Sequence, residues 1–242
     1  MSENRSIKIA HLYPELLNLY GDRGNIACLI KRCEWRGIHA ETRAFKHGEK
    51  IDFSELDIVL LGGGSDREQE IVCKTLRAIK KDFKNFVEDG GSVIAVCGGY
   101  QLLGSYYQTA NEKIEGLELV NIYTDQGEGR LIDNIILESS LAKMPVVGFE
   151  NHGGRTHINE HEPFGKVLYG NGNYENSGQE GVVYKNLIGT YLHGPLLPKN
   201  PEIADRLISK ALERNCGNGQ LEALPDTEEK AANEYICDRF LK

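Results

Sequence analysis

The chain has 242 residues, 40% hydrophobic and 26% charged, the proportions of a soluble globular protein with length enough for one α/β domain and a sizeable core. Twenty-eight basic residues against 36 acidic ones give a formal net charge of −8, which speaks against a nucleic-acid surface and says nothing against an amino-acid substrate. No apolar run approaches the ~20 residues that span a bilayer, and Met1–Ser6 leads into no apolar signal core. The six cysteines (Cys28, Cys33, Cys73, Cys97, Cys216 and Cys237) show no paired spacing, so they read as reduced thiols of a cytoplasmic protein with no membrane insertion.

Ile7 to Tyr13 alternates and predicts a first strand. A helix should open at Asn25, carry Ile26, Leu29, Ile30 and Cys33 at 3–4 spacing, and end at Gly37. His39 to Phe45 reads as a second strand, and Asp57 to Leu61 as a short strand buried on both faces, stopped by Gly62-Gly63-Gly64. Ser65 and Glu68 form a capping-box pattern ahead of one helix with Val72, Leu76, Ile79, Phe83 and Phe86 on its stripe. Ser92 to Cys97 is the next strand. Repetition of strand, glycine turn and helix predicts an open, mostly parallel, doubly wound sheet. From Gly116 to Leu192 the texture changes to strand-like runs between Gly/Asn loops: Asp133–Leu137, Val146–Glu150, Lys166–Tyr169 and Gly181–Tyr184, expected as further strands of the same single domain (1–242, core 7–217). A last helix should start at Asn200-Pro201, an N-cap followed by proline at the first turn, face the core with Ile203, Leu207, Ala211 and Leu212, and end at Gly217. Residues 218–242 read as a polar, loosely docked tail.

The most informative segment is Ser92-Val93-Ile94-Ala95-Val96-Cys97-Gly98-Gly99-Tyr100-Gln101-Leu102-Leu103-Gly104. A β-branched run ends at a single cysteine, two glycines follow, and a helical stretch begins. A nucleophile on a sharp strand-to-helix turn has this form, with amides beneath it that favour thiolate over thiol. The Gly98 amide is a natural donor to a developing oxyanion. A thiol that attacks an amide also needs a group to hold and return its proton. His193 ends the strand-like run Leu187–Leu192 and precedes Gly194-Pro195, and active groups of parallel sheets gather at such carboxyl ends. A buried core cysteine and a solvated histidine are the bland alternatives for each residue alone. His152, His157 and His161 match no standard zinc spacing, so no metal is expected.

Cys97–Gly104 together with Tyr191-Leu192-His193-Gly194-Pro195 resembles a class I glutamine amidotransferase of the cobyric acid synthase type, a flavodoxin-like fold. Leu19-Tyr20-Gly21-Asp22-Arg23-Gly24-Asn25-Ile26, Gly62–Gln69 and Gly148–Thr156 narrow the resemblance to the glutaminase subunits of lipid II isoglutaminyl synthases, over about Ile7 to Cys216. Two positions depart from the usual class I pattern: Ala95 stands where a glycine is common, and Pro195 where an acid follows the histidine. An orienting acceptor for His193 would then come from elsewhere in the chain, with Glu150 a weak candidate, or from a partner subunit.

The resemblance implies glutamine as substrate, Cys97 as nucleophile and His193 as acid–base. Oxyanion donors would be Gly98 with Gly63, and Gly64 next. Arg130, which composition alone reads as a surface-loop arginine, becomes the anchor for the α-carboxylate of glutamine. Gln101 either lines the pocket or braces the turn. Glu150, His152 and Arg155 read as braces for the loops around the site, and Asp22, Arg23 and Asn25 as a turn and helix cap. No cofactor is implied in this subunit. ATP and Mg belong to an implied Mur-ligase-like synthetase partner in a heterodimer, which would amidate the α-carboxyl of D-glutamate in lipid II. A corrinoid carboxylate as acceptor, a stand-alone cysteine hydrolase and a non-enzymatic interaction protein are the competing readings.

Overall fold

In the computed structural model, which describes residues 5–18, 22–109 and 112–241, the first half of the chain alternates as its sequence predicts. Leu19, Tyr20 and Gly21 of the first motif, residues 1–4 and 110–111, and Lys242 lie outside the described residues. The order is β1 (Ser6–Leu12), α1 (Arg23–Glu34), β2 (His39–Phe45), β3 (Ile58–Leu61), α2 (Asp66–Ala78), α3 (Lys80–Glu88), β4 (Ser92–Val96) and α4 (Gly98–Leu102). Then come β5 (Tyr106–Gln108), β6 (Lys113–Glu115), β7 (Tyr123–Glu138), β8 (Val146–His157), β9 (Gly165–Tyr169), β10 (Gln179–Glu180), β11 (Val182–Tyr184), β12 (Leu187–Thr190), α5 (Pro201–Cys216) and α6 (Thr227–Phe240).

Six strands form the first sheet in the order β11-β12-β4-β3-β1-β2, parallel except for the β11 edge. β3 and β4 are buried along their whole length, as their unbroken apolar runs require of central parallel strands. The chain steps outward from β1 to β2, then returns to the other side of β1 and continues through β3 to β4. Right-handed crossovers therefore put α1 and the α2–α3 pair on opposite faces. The reversal between β1 and β3 is a topological switch point, where such sheets open a crevice at their carboxyl ends.

The second half builds a second sheet, β10-β9-β7-β5-β6, with β8 paired antiparallel to β7. The predicted runs 133–137 and 146–150 are only the ends of the long strands β7 and β8. Their polar, glycine-rich halves look like loops in sequence. The glycines answer to close approach instead: a Cβ on Gly154 would lie 2.4 Å from Gln101 Nε2. A register shift between Gln126 and Leu131 makes a bulge in β7. An isolated antiparallel bridge from Phe149 in β8 to His193 ties this sheet to the end of the first one.

Three local expectations change. The helix predicted across Ile79 breaks there into α2 and α3, with Ile79 at φ −106° and ψ 7°. Asn200 caps nothing with its side chain. Its Oδ1 accepts from Val147 N at 2.8 Å, and its Nδ2 donates to the Val147 and Leu196 carbonyls, so it pins β8 to the start of α5. Residues 227–240 of the expected loose tail form α6, held by polar contacts rather than an apolar stripe. Buried Asn233 donates to Pro145 O at 2.9 Å and Lys199 O at 3.0 Å. Among the described residues no helix is long and apolar enough to cross a membrane.

Arg32, only 1% exposed, joins these layers. Its Nε and Nη2 donate to Asp205 of α5 at 2.6 and 2.8 Å, and its Nη1 donates to Asp226, just before α6, at 2.6 Å. Arg36 adds a 2.7 Å contact to Asp205. Removing the central guanidinium would leave two partly buried carboxylates together. Arg32→Ala should lower unfolding stability by about 3–5 kcal/mol, read by urea denaturation. Lys31→Ala, which breaks only the exposed pair with Glu34, should change it by less than about 1 kcal/mol.

Candidate active site

Cys97 follows β4 directly and sits at φ +51° and ψ −107°, a strained conformation for a non-glycine residue. The strain is held from both sides. Cys97 N donates to Thr190 O of β12 at 2.8 Å, and Gly99 N donates to Gly62 O at 3.1 Å. Neither following glycine has room for a side chain. A Cβ on Gly98 would come within 2.9 Å of Gln69 Cδ, and one on Gly99 within 2.5 Å of Leu61 O. The double glycine thus lets the turn close against the end of β3. The helix beneath the thiol, α4, has only five residues, so its macrodipole adds little.

His193 lies three residues beyond β12, buried, with its backbone paired to Phe149 in both directions (2.8 and 3.3 Å). Gly194 at φ +118° then turns the chain away. Burial, reinforced by the Arg130 guanidinium, pushes the His193 imidazole down to about 3. The neutral ring is therefore its resting form at ordinary pH. A Cβ placed on Gly63 would lie 3.3 Å from both Cys97 Cβ and His193 Cε1. The structure brings thiol, imidazole and glycine loop to one point.

The glycine loop corrects one expectation. Gly63 N–H is already donated to Asp22 Oδ2 at 2.8 Å, so it is not the loop's oxyanion donor. Gly64 instead lines a cavity of about 450 Å³ together with Cys97, Gln101, Arg130, Asn151 and His152. The capping box predicted for α2 is present, with Ser65 N donating to Glu68 at 2.9 Å. Gln69, a residue sequence reading left without a role, donates to Gly64 O at 3.2 Å and packs against Gly98. A second cavity of about 490 Å³, between Phe53, Phe86 and Arg214, is lined by no cysteine or histidine.

Arg130 sits in the β7 bulge. Its Nε donates to Asn151 Oδ1 and its Nη2 to Asn151 O, both at 2.7 Å, which aligns the guanidinium along the cavity wall. Arg155 braces that bulge from β8: it donates to Gly153 O at 2.8 Å, Glu128 O at 3.1 Å and the Glu175 carboxylate at 2.7 Å. Gln101 is a brace that also lines the cavity, its Nε2 donating to Tyr191 Oη at 3.2 Å. The Tyr191 ring stacks on His152 with centroids 3.5 Å apart.

Glu150 lies fully buried in β8. Its carboxylate accepts from Asn171 N at 2.7 Å and Gly172 N at 2.9 Å, and lies 3.6 Å from His152 Nε2. Burial opposes its ionisation, but the nearby His152 imidazole and the hydrogen bonds from Asn171 and Gly172 outweigh it and hold the carboxyl below its ordinary range. Glu150 therefore anchors the loop after β9. Among the described residues no group of three or more His, Cys, Asp or Glu side chains is placed to hold a metal ion.

Residues 8–201 match the CobB/CobQ-like glutamine amidotransferase domain family. The chain is 42% identical over 234 residues to lipid II isoglutaminyl synthase (glutamine-hydrolyzing) subunit GatD of Staphylococcus aureus, covering 96% of each protein. It is 41% identical to the corresponding subunit of Streptococcus pneumoniae, covering 95% of this chain and 90% of that one. Cobyric acid synthase of Listeria innocua is 36% identical over 155 residues, which span 59% of this chain but 29% of the enzyme. Among solved structures, PurLQS from Thermotoga maritima superposes with a TM-score of 0.56 at 14% identity, over 87% of this chain and 99% of that one. A structure described as glutamine amidotransferase gives 0.54 at 15% identity, over 84% and 98%. These two likenesses establish the fold.

One buried acid behind the histidine strand has a measurable consequence. Glu180 accepts from Tyr191 N at 2.6 Å, and burial pushes its carboxyl up to about 8 from an ordinary 4.5. Between those values the folded chain keeps a proton that the unfolded chain has released, so stability falls as pH rises. Glu180→Gln, which keeps an acceptor for the Tyr191 amide, should remove this part of the slope, up to about 1.4 kcal/mol per pH unit. Urea unfolding at intervals from about pH 5 to 8 measures it, and an unchanged slope would contradict the assignment.

Proposed function

The chain belongs to the CobB/CobQ-like glutamine amidotransferase family and, within it, to the GatD subunits of lipid II isoglutaminyl synthase; on that premise we propose that it hydrolyses glutamine at Cys97 and His193 for an ammonia-consuming partner. The observation that carries this reading is the meeting of Cys97 and His193 beside Gly63, at the edge of the cavity that Arg130 lines.

Glutamine binds with its α-carboxylate on the Arg130 fork, which Asn151 holds in place. Cys97 Sγ attacks the side-chain amide carbon as neutral His193 takes the thiol proton. The amides of Gly98 and Gly64 hold the tetrahedral oxyanion. His193 then gives its proton to the amide nitrogen, the C–N bond breaks, and ammonia leaves a glutamyl thioester on Cys97. A water deprotonated by His193 attacks that thioester, releases glutamate and restores the thiol. These steps use only thiol, imidazole and backbone amides.

Ammonia released here serves a Mur-ligase-like synthetase, the subunit that would hold ATP and Mg. The partner activates the α-carboxyl of D-glutamate in the lipid II stem peptide, and ammonia converts it to D-isoglutamine. Transfer inside a heterodimer keeps ammonia from protonation in bulk water.

Cys97→Ala should abolish ammonia release from glutamine while leaving the fold intact. Amidation by the complex should survive when an ammonium salt replaces glutamine. Wild-type hydrolysis by the variant would remove Cys97 from the mechanism.

Arg130→Ala should lose about 2–3 kcal/mol of transition-state binding, roughly 30- to 150-fold in kcat/KM for glutamine. Arg130→Lys should recover only part of it, because an ammonium offers no planar fork. Unchanged kcat/KM in both variants would show that the carboxylate is anchored elsewhere.

A further inference from the structure

The segment Asp22-Arg23-Gly24-Asn25 opens α1, and sequence reading treats it as a turn and cap. Its side chains do something else. Asp22 stands at the N-cap position, yet its side chain caps no amide of α1. It crosses the switch point between β1 and β3 and accepts Gly63 N–H at 2.8 Å. Two residues on, a Cβ on Gly24 would lie 2.3 Å from Pro195 Cγ, so the backbone of α1 rests directly on the residue two past His193. Next to it, Asn25 Oδ1 accepts Leu197 N at 2.9 Å. One helical turn thus grips the loop beside Cys97 and the loop that carries His193.

We infer that Asp22, Gly24 and Asn25 form a bracket that sets the oxyanion loop (62–64) and the histidine loop (193–197) in a fixed relation to each other. This inference rests on the glutaminase reading of Cys97 and His193. The bracket residues touch no substrate; they are positioning residues. Asp22 acts by committing the Gly63 amide, which fixes the Gly62–Gly63 peptide plane immediately ahead of Gly64, the loop's donor at the cavity wall. Gly24 and Asn25 act on the backbone that follows His193.

A purely structural role suits Asp22 poorly. Its side chain is fully buried, and its Oδ1 has no hydrogen-bond partner among the described residues. Burial pushes the carboxyl up to about 7. A buried carboxylate with an unmatched oxygen weakens the fold, and an apolar residue or an amide would suit stability at least as well. The acceptor on Gly63 is what the position supplies.

The test is glutamine hydrolysis by the full chain in complex with its synthetase partner, with thermal unfolding of each variant alongside. Asp22→Ala should fold and lower kcat on the order of 10- to 100-fold, the scale of a misplaced oxyanion donor, with KM for glutamine changed less than about threefold. Asp22→Asn keeps an acceptor for Gly63 N–H and should restore kcat to within about threefold of wild type. Gly24→Ala, which displaces Pro195 and touches neither Cys97 nor substrate, should also lower kcat more than it raises KM, and it decides the matter if Asp22→Ala does not fold. Full kcat in Asp22→Ala or in Gly24→Ala would overturn the bracket, as would an Asp22→Asn variant that folds yet is as slow as Asp22→Ala. A wild-type complex that releases no ammonia from glutamine would instead overturn the glutaminase reading itself.

Discussion

Close backbone approach at the end of β3 and β4 is the constraint from which the rest of this site follows. Cys97 adopts a left-handed turn only because Gly98 and Gly99 let the chain close against Gln69 and the Leu61–Gly62 backbone. The Gly99 amide completes the contact by donating to Gly62 O. The strain at Cys97 is maintained by the fully buried strands β3 and β12 on either side of β4, whose apolar burial supplies the free energy that a strained turn requires. The elbow at Cys97 and the glycine loop thus share one set of contacts.

The second sheet brings the polar half of the site. The helix-flanked parallel sheet offers backbone amides and a thiol at its carboxyl edge, with Arg67 of α2 beside them. The β7–β8 pair adds a guanidinium held in place, carrying Arg130 on a bulge with Asn151 to fix it. Arg155 and Glu175 clamp the bulge, and Gly127 leaves space for the Arg155 guanidinium, which would lie 2.2 Å from a Cβ there. The Phe149–His193 bridge makes the same strand responsible for the histidine backbone. Arg130 and His193 thus share β8 as a common support.

Buried acids recur around this junction, with opposite electrostatic outcomes. Glu150 receives several hydrogen bonds and stays ionised. Glu180 and Asp22 receive too few to offset desolvation, and their carboxyls rise. Their positions are behind the histidine strand and beneath the glycine loop, where an acceptor is needed more than a charge. The fold tolerates the cost because distant elements are tied firmly, notably α1 to α5 and to Asp226 through Arg32.

Local patterns in the chain settle a great deal here. An apolar run stopped by Cys-Gly-Gly admits little besides a strand and a tight turn, and Ser65 with Glu68 sets a helix start by itself. The order β–α–β, read from periodicity, implies a parallel sheet through the handedness of crossovers. Cys97 and His193 were therefore legible as two strand-end groups, and their motif as that of a glutamine amidotransferase. What the sequence could not decide is which partner each polar group takes, because such choices depend on residues far apart in the chain. Gly63 loses its amide to Asp22, 41 positions away. Asn200 leaves its own helix to hold Val147, and Arg32 finds carboxylates 173 and 194 positions on. The long β7 and β8 were hidden for the same reason: their glycines signal loops locally and make room for Gln101 and Arg155 only once the sheets have met. Periodicity and turn chemistry are properties of neighbours in sequence, whereas hydrogen-bond allegiance and steric clearance are settled by the tertiary fold.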